Sequence, residues 1–415
     1  SDEVTAGRDE GLTRRAFLGA AAAVAAGTLT SCTGPQRAGP SRTSEQTPAP
    51  RLTSVECPAL EVAESPLWEV AMTCGLVYGS SAATWQISDA QYRRLIQRQA
   101  AILFTEDDLL WYRLRPTPDS DLDFRFGDRI VGFAEEHGML VLGAHLIWDE
   151  GYGEGWTESD FYELDEAAAR ELLFGTVEAV VRRYRGRVAV WIVANEVFDG
   201  FGVRPEVPWH GTIGESYIEE GFHVAHEADP DAMLLINDFG FETGDGVSSA
   251  EDRRRVALNV IDDLLSRDVP VHGFGVQAHL NADGFAEAFD PASYRAFLAE
   301  VADRGLPILV TEMDVLDDGL PPSMEARDRA VAEVYERYLD IALEEPSVAS
   351  LITFGLSDRY TWLEEDYPRD DGVPRRPLPF DDEMRPKPAA EVLRASLRQA
   401  VGRSTPLVPP RCRTA

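Results

Sequence analysis

The chain has 415 residues and a formal net charge of −33, from 39 Lys and Arg against 72 Asp and Glu. A surface this acidic repels nucleic acid and anionic lipid headgroups, which sets both aside as electrostatic partners. Hydrophobic residues at 44% can fill a large core, 33 Gly and 26 Pro are too few for a fibrous or mainly disordered chain, and four Cys are too few for a disulfide scaffold.

The first segment reads as an address. Arg14 and Arg15 precede an apolar, Ala-rich run over residues 19–29, too short to span a bilayer. Twin Arg before a modest apolar stretch resembles a bacterial twin-arginine export signal. Leu29-Thr30-Ser31-Cys32 resembles a lipobox, in which Cys32 is lipidated and becomes the mature N-terminus; an ordinary cleaved signal with a chance Cys is the plainer alternative. Residues 1–32 are therefore expected to be a signal and 33–59 a flexible linker, rich in Gly, Pro, Ser and Thr without apolar periodicity. A folded domain is expected over 60–403, with a tail at 404–415. In an exported protein Cys57 and Cys412, at the two ends of that domain, could form a disulfide; two free thiols is the alternative. Cys74 lies in an apolar segment and reads as a buried thiol.

The body alternates short apolar runs with segments of helical period. Strands are expected over 74–79, 101–105, 140–146, 188–194, 233–237, 273–278, 308–313 and 350–355. Helices are expected over 89–99, 126–137, 166–184, 213–227, 251–267, 291–303 and 326–343. Continuous apolar strands separated by helices imply a parallel sheet covered on both faces. Eight of them in about 340 residues suit a single α/β (β/α)8 TIM barrel. A doubly wound open sheet is the runner-up, but the glycines after the first strand make no phosphate-binding turn.

Chemistry in such a barrel gathers where the strands end. The second strand runs into Glu106, Asp107 and Asp108, the third into His145 and Trp148. The fourth ends at Asn195-Glu196, the fifth at Asn237-Asp238, the sixth at Gln277-Ala278-His279, and the seventh at Glu312-Met313-Asp314. A carboxylate directly after a buried strand is costly unless it is paired or functional. Glu196 and Glu312 would face each other across the mouth, the arrangement that glycoside hydrolysis needs: one carboxylic acid protonates the leaving oxygen while the second carboxylate attacks the anomeric carbon or activates water. Either Glu alone could be an ion pair at a strand end. The neighbouring Asn195, Gln277, His279 and Trp362 favour the catalytic reading.

Six segments in order carry a family resemblance. They are Trp191-Ile192-Val193-Ala194-Asn195-Glu196, the stretch from Ala228-Asp229-Pro230 to Ile236-Asn237-Asp238, Gly273 to Leu280, Leu309 to Asp314, Ser357 to Trp362, and Pro379-Phe380-Asp381 with Lys387-Pro388-Ala389. Together they resemble glycoside hydrolase family 10, the endo-β-1,4-xylanases, over about residues 75–397. The resemblance implies a retaining β-glycosidase acting on xylan or a related plant polysaccharide, with no cofactor and no metal. It implies Glu196 as acid/base, Glu312 as nucleophile, Asn195 on the sugar 2-hydroxyl, His279 orienting Glu312 and Asp314 fixing His279. Gln277, Asn237, Trp362, Trp148, Glu106 and Asp107 would contact sugar. A monomer with a polysaccharide or oligosaccharide substrate is expected, cell-surface or secreted.

The departures fall on the glycone side. Asp107 stands where the family has Asn, Leu110 where it has Lys, and Ala144 and Asp149 where it has His; Phe354 takes the place of a Trp. The chemistry is thus kept while sugar recognition changes, so a different β-glycan is a credible substrate. A glycan-binding barrel lipoprotein that has lost hydrolysis and a solute-binding lipoprotein are the readings from other classes; the paired glutamates speak against both. His223 and His226, three apart on a helix, lack a third metal ligand, and Asp317-Asp318 and Asp381-Asp382 read as solvated surface.

Overall fold

The computed structural model describes residues 65–412. Residues 1–32, expected to be a signal, the expected linker at 33–59, Cys32 and Cys57 lie outside the described residues, and with them the expected lipidation and one partner of the expected disulfide.

Nine strands form in chain order: β1 (Val77–Ser81), β2 (Ile102–Phe104), β3 (Leu140–Gly143), β4 (Val190–Asn195), β5 (Met233–Asp238), β6 (Gly273–Val276), β7 (His279–Asn281), β8 (Ile308–Leu316) and β9 (Val348–Thr353). All pairings are parallel. β1 through β6 lie side by side, β6 pairs with β8, β8 with β9, and β9 returns to β1, which closes an eight-stranded barrel. β7 stands outside the ring and pairs only with the extended end of β8, His279 opposite Asp314.

Burial explains why continuous apolar runs were legible as strands. Every residue of β1, β4, β5, β6 and β9 is buried, as expected for strands covered on one face by helices and on the other by the barrel interior. Val77, Ile102, Phe104, Leu142, Val190, Ile192, Leu235, Leu309 and Ile352 fill that interior as one cluster. A second, larger cluster packs the outer strand faces against the helices. Six of the seven expected helices form within a few residues of their expected bounds, several behind side-chain caps: Asp89, Asp165, Ser249, Asp290 and Ser323 each accept a backbone N–H of the first turn. The remaining one, expected over 213–227, forms as Ser216–Ala228, and a separate short helix, Pro208–Ile213, precedes it across Gly214 at φ 87°. An eighth barrel helix, Pro388–Gln399, was not anticipated. Its signals were Pro388 in the first turn and buried Ala389, Leu393 and Leu397 at helical spacing.

Three strand bounds differ for physical reasons. The sixth strand does not run through 278, because Ala278 takes a left-handed φ of 61° and breaks it into β6 and β7. β3 stops at Gly143, and the chain continues as an irregular segment through Ala144 and His145. The first strand begins at Val77, and Cys74 sits in the preceding turn, half-buried, with Sγ 3.0 Å from the Ala71 carbonyl. The C-terminal segment is tied to the opposite end of the barrel from the mouth. Thr405 and Leu407 are buried, and Arg411 donates to the Ala100 carbonyl at 2.6 Å.

Candidate active site

The strand ends bring the expected polar residues together. At the end of β4 the backbone turns sharply: Glu196 has φ 54°, a conformation that costs a non-glycine residue about 1–2 kcal/mol. Successive residues of a strand point to opposite faces. The turn breaks that alternation, and one amide shows the result. Nε2 of Gln277 donates to Glu196 Oε1 at 2.9 Å and reaches Asn195 Oδ1 at 3.3 Å. Two consecutive side chains thus enter the same mouth.

Across from them, Glu312 and Asp314 lie two apart on β8 and share a face, with Met313 buried behind. Nδ2 of Asn237 donates to Glu312 Oε1 and to Asn195 Oδ1, each at 2.8 Å. Asn237 is itself held by the Thr311 hydroxyl, 2.8 Å from its Oδ1. Asn195, Asn237, Gln277 and the two glutamates therefore form one connected network.

His279 completes it from β7. Its Nδ1 is 2.9 Å from Asp314 Oδ1 and its Nε2 is 3.5 Å from Glu312 Oε2. Burial alone would lower its pKa, but the Asp314 and Glu312 carboxylates outweigh burial and push it up to about 10. An imidazolium donates from both nitrogens, which suits a ring held between two carboxylates. Trp362 closes the chain, its Nε1 donating to the other Asp314 oxygen at 2.7 Å, with its ring 5.2 Å from that of His279. The break at Ala278 is what makes this possible, since it re-aims His279 onto the end of β8.

The glycone-side residues are placed differently. Glu106 accepts from Ser81 Oγ at 2.8 Å and Gln86 Nε2 at 2.7 Å. Burial, with the charge of Asp107 added, pushes its carboxyl up to about 8. Asp107 accepts the indole N–H of Trp85 at 3.0 Å, and Trp85 remains half-exposed on the rim. Trp148 and His145 are both buried, their rings 4.9 Å apart. Leu110 and Ala144 are buried, and Phe354 packs edge-on against Phe104.

Several residues escaped the sequence. Thr311 braces Asn237, and Ser81 and Gln86 hold Glu106. Arg204 binds the Glu196 carbonyl at 2.7 Å, and nothing in its local sequence pattern marks it. It lies in an irregular loop, and only the fold brings it back to β4.

Chemically, Glu312 receives two donors, the Asn237 amide and the His279 ring, which hold its carboxyl group in one orientation. Glu196, on the opposite wall, is more open and receives one neutral amide. Nδ2 of Asn195 is buried with no hydrogen-bond partner among the described residues, a donor available to a ligand. One placed carboxylate, one accessible carboxyl and one waiting amide form a constellation for acyl-free displacement at an acetal carbon.

The model for Glycosyl hydrolase family 10 matches residues 67–396. The chain is 31% identical over 318 residues to endo-1,4-beta-xylanase B of Thermotoga neapolitana, covering 76% of this chain and 86% of that protein. Among solved structures it is similar to native xylanase 10B of Thermotoga maritima, with a TM-score of 0.72 and 32% identity over 80% of this chain and 98% of that one. Xylanase 10B of Thermotoga petrophila RKU-1, solved with xylobiose, gives a TM-score of 0.73 and 30% identity over 82% and 99% of the two chains.

Proposed function

The chain belongs to glycosyl hydrolase family 10, and from that premise we propose that it hydrolyses β-1,4-linked xylan with retention, Glu312 attacking the anomeric carbon and Glu196 serving as acid and then base. The enzyme class and the substrate follow from the family and its xylanase relatives. The single observation supporting the residue roles is the network just described, in which the Asn237 amide and the His279 ring both address Glu312.

In the first step Glu312 forms a bond to the anomeric carbon while the glycosidic C–O bond breaks, and Glu196 gives its proton to the departing oxygen. In the second, water attacks the same carbon, Glu196 takes its proton, and the bond to Glu312 breaks. Both displacements invert, so the product keeps the β configuration. A reducing-sugar assay across soluble β-glycans, with proton NMR of the first product, tests this. The expected result is release from xylan with the β-anomer appearing first. Initial α-anomer, or turnover confined to a glycan other than xylan, overturns it.

The export reading is likewise proposed, on the sequence alone: a twin-arginine precursor anchored through Cys32. Membrane fractionation of Cys32→Ala is expected to find the enzyme in the soluble fraction. An unchanged membrane-bound fraction rejects the anchor.

A further inference from the structure

Glu196 sits in a left-handed turn, at φ 54°, and something must hold it there. Its N–H donates to the Asn237 carbonyl at 3.0 Å. Its carbonyl accepts from Nη1 of Arg204 at 2.7 Å. The peptide flanks of this one residue are thus clamped from both sides, one by β5 and one by a side chain eight positions on.

A small hairpin returns Arg204 to that carbonyl. Phe198 and Val203 form an antiparallel bridge, the Arg204 N–H donates to the Val197 carbonyl at 2.9 Å, and Asp199 Oδ1 accepts from the backbone of Phe201 and Gly202 at 2.6 and 2.7 Å. The start of this hairpin is pinned by buried Asp238, which accepts the Phe198 N–H at 2.9 Å and pairs with Arg253. The far side of the guanidinium grips Asp149, at 2.7 Å from Nη2 and 3.4 Å from Nη1. Asp149 leaves only 7% of its side chain exposed and Arg204 22%, so the pair is largely shielded from water, where charge-assisted forks are strongest.

We propose that Arg204 is a positioning residue for the acid/base: by joining the Glu196 carbonyl to Asp149 it locks the turn that lets Asn195 and Glu196 enter the mouth together. This rests on the assignment of Glu196 as acid/base. The charged groups facing Glu196 are Arg204 from its own loop, Asp149 from the segment after β3 and Asp238 from the end of β5. A guanidinium suits the task because its N–H groups point in fixed directions from one rigid plane, so the carbonyl and the carboxylate are held at set angles, whereas an ammonium is a point donor on a flexible stem.

The test separates positioning from general disruption through the leaving group. Proton donation matters for a poor leaving group and hardly at all for a highly activated one. Arg204→Met is expected to lower kcat/KM on phenyl β-xylobioside by roughly 10²-fold, within the range attributed to general acid catalysis. On the dinitrophenyl xylobioside the loss is expected to stay within about tenfold. Arg204→Lys, which keeps the charge but loses the rigid fork that fixes the carbonyl against Asp149, is expected to show the same discrimination at smaller size, and it carries the test if Arg204→Met does not fold. Equal losses on the two substrates would mean a structural role only and overturn the proposal. Glu196→Ala measured alongside keeps the two assignments apart. If Glu196→Ala itself fails to discriminate, the acid/base assignment fails; if it discriminates and the Arg204 variants do not, only the role of Arg204 fails.

Discussion

Glu312→Ala is expected to remove xylan hydrolysis by roughly 10⁵–10⁶-fold, the scale seen when a covalent nucleophile is deleted. The size follows from the nucleophile role proposed for the residue. No second carboxylate is placed to replace it: Asp314, two residues along, has one oxygen on His279 and the other on the Trp362 indole. Fold stability should change little, because removing Glu312 also relieves a buried anion, although His279 and Asn237 each lose a partner. Added azide distinguishes the two glutamates. In Glu312→Ala, with a dinitrophenyl xyloside, azide can occupy the vacated space and attack the anomeric carbon directly. The C–N bond forms as dinitrophenolate leaves, and the single inversion gives the α-glycosyl azide. In Glu196→Ala the nucleophile remains, azide intercepts the covalent intermediate, and double inversion gives the β-azide. Reading the two product configurations by NMR decides the roles. Exchanged configurations would reverse the assignment, and full hydrolytic rates in both variants would remove it.

Much of this was legible because a barrel strand buried on both faces writes itself as an unbroken apolar run. Where such a run stops at Asn, Asp, Glu or His, the polar residue has reached the mouth. Residues 190–195 followed by Glu196, and 308–311 followed by Glu312, are of this kind. The backbone breaks were not legible. Ala278 has a side chain with no preference for positive φ, yet it takes one, because the β8 end offers β7 three ladder pairs and His279 two carboxylates. The partners that lie far along the chain were invisible for the same reason. Arg204 meets Asp149 across 55 positions and Ser81 meets Glu106 across 25, and no local pattern encodes a meeting that only strand order creates. Glu106 is expected from the sequence to contact sugar. Burial pushes its carboxyl up to about 8, a property that its place after a strand does not reveal.

Asn195→Ala is expected to lower kcat/KM by roughly 10²–10³-fold, the cost of removing one donor aimed at charge that develops in the transition state. The structure gives an unusual reason for so large an effect. Oδ1 of Asn195 is used twice, by Asn237 and Gln277, so the amide cannot rotate to satisfy itself, and Nδ2 stays buried without a partner. A buried, unpaired N–H costs about 1–3 kcal/mol in the free enzyme. A sugar hydroxyl that accepts from it recovers that cost, and recovers more as the ring gains positive charge and the 2-hydroxyl proton becomes more acidic toward the Glu312 carboxylate. A 2-deoxy substrate checks the assignment. It should be turned over slowly by the unaltered enzyme, and Asn195→Ala should add little further loss, since the contact is already gone. If the two losses multiply instead, the amide serves another group and its place on the 2-hydroxyl is wrong. Asn195→Asp sharpens the outcome: it keeps an acceptor for Asn237 and Gln277 but replaces the Nδ2 donor with a second acceptor, so its loss on the 2-hydroxy substrate should exceed that of Asn195→Ala.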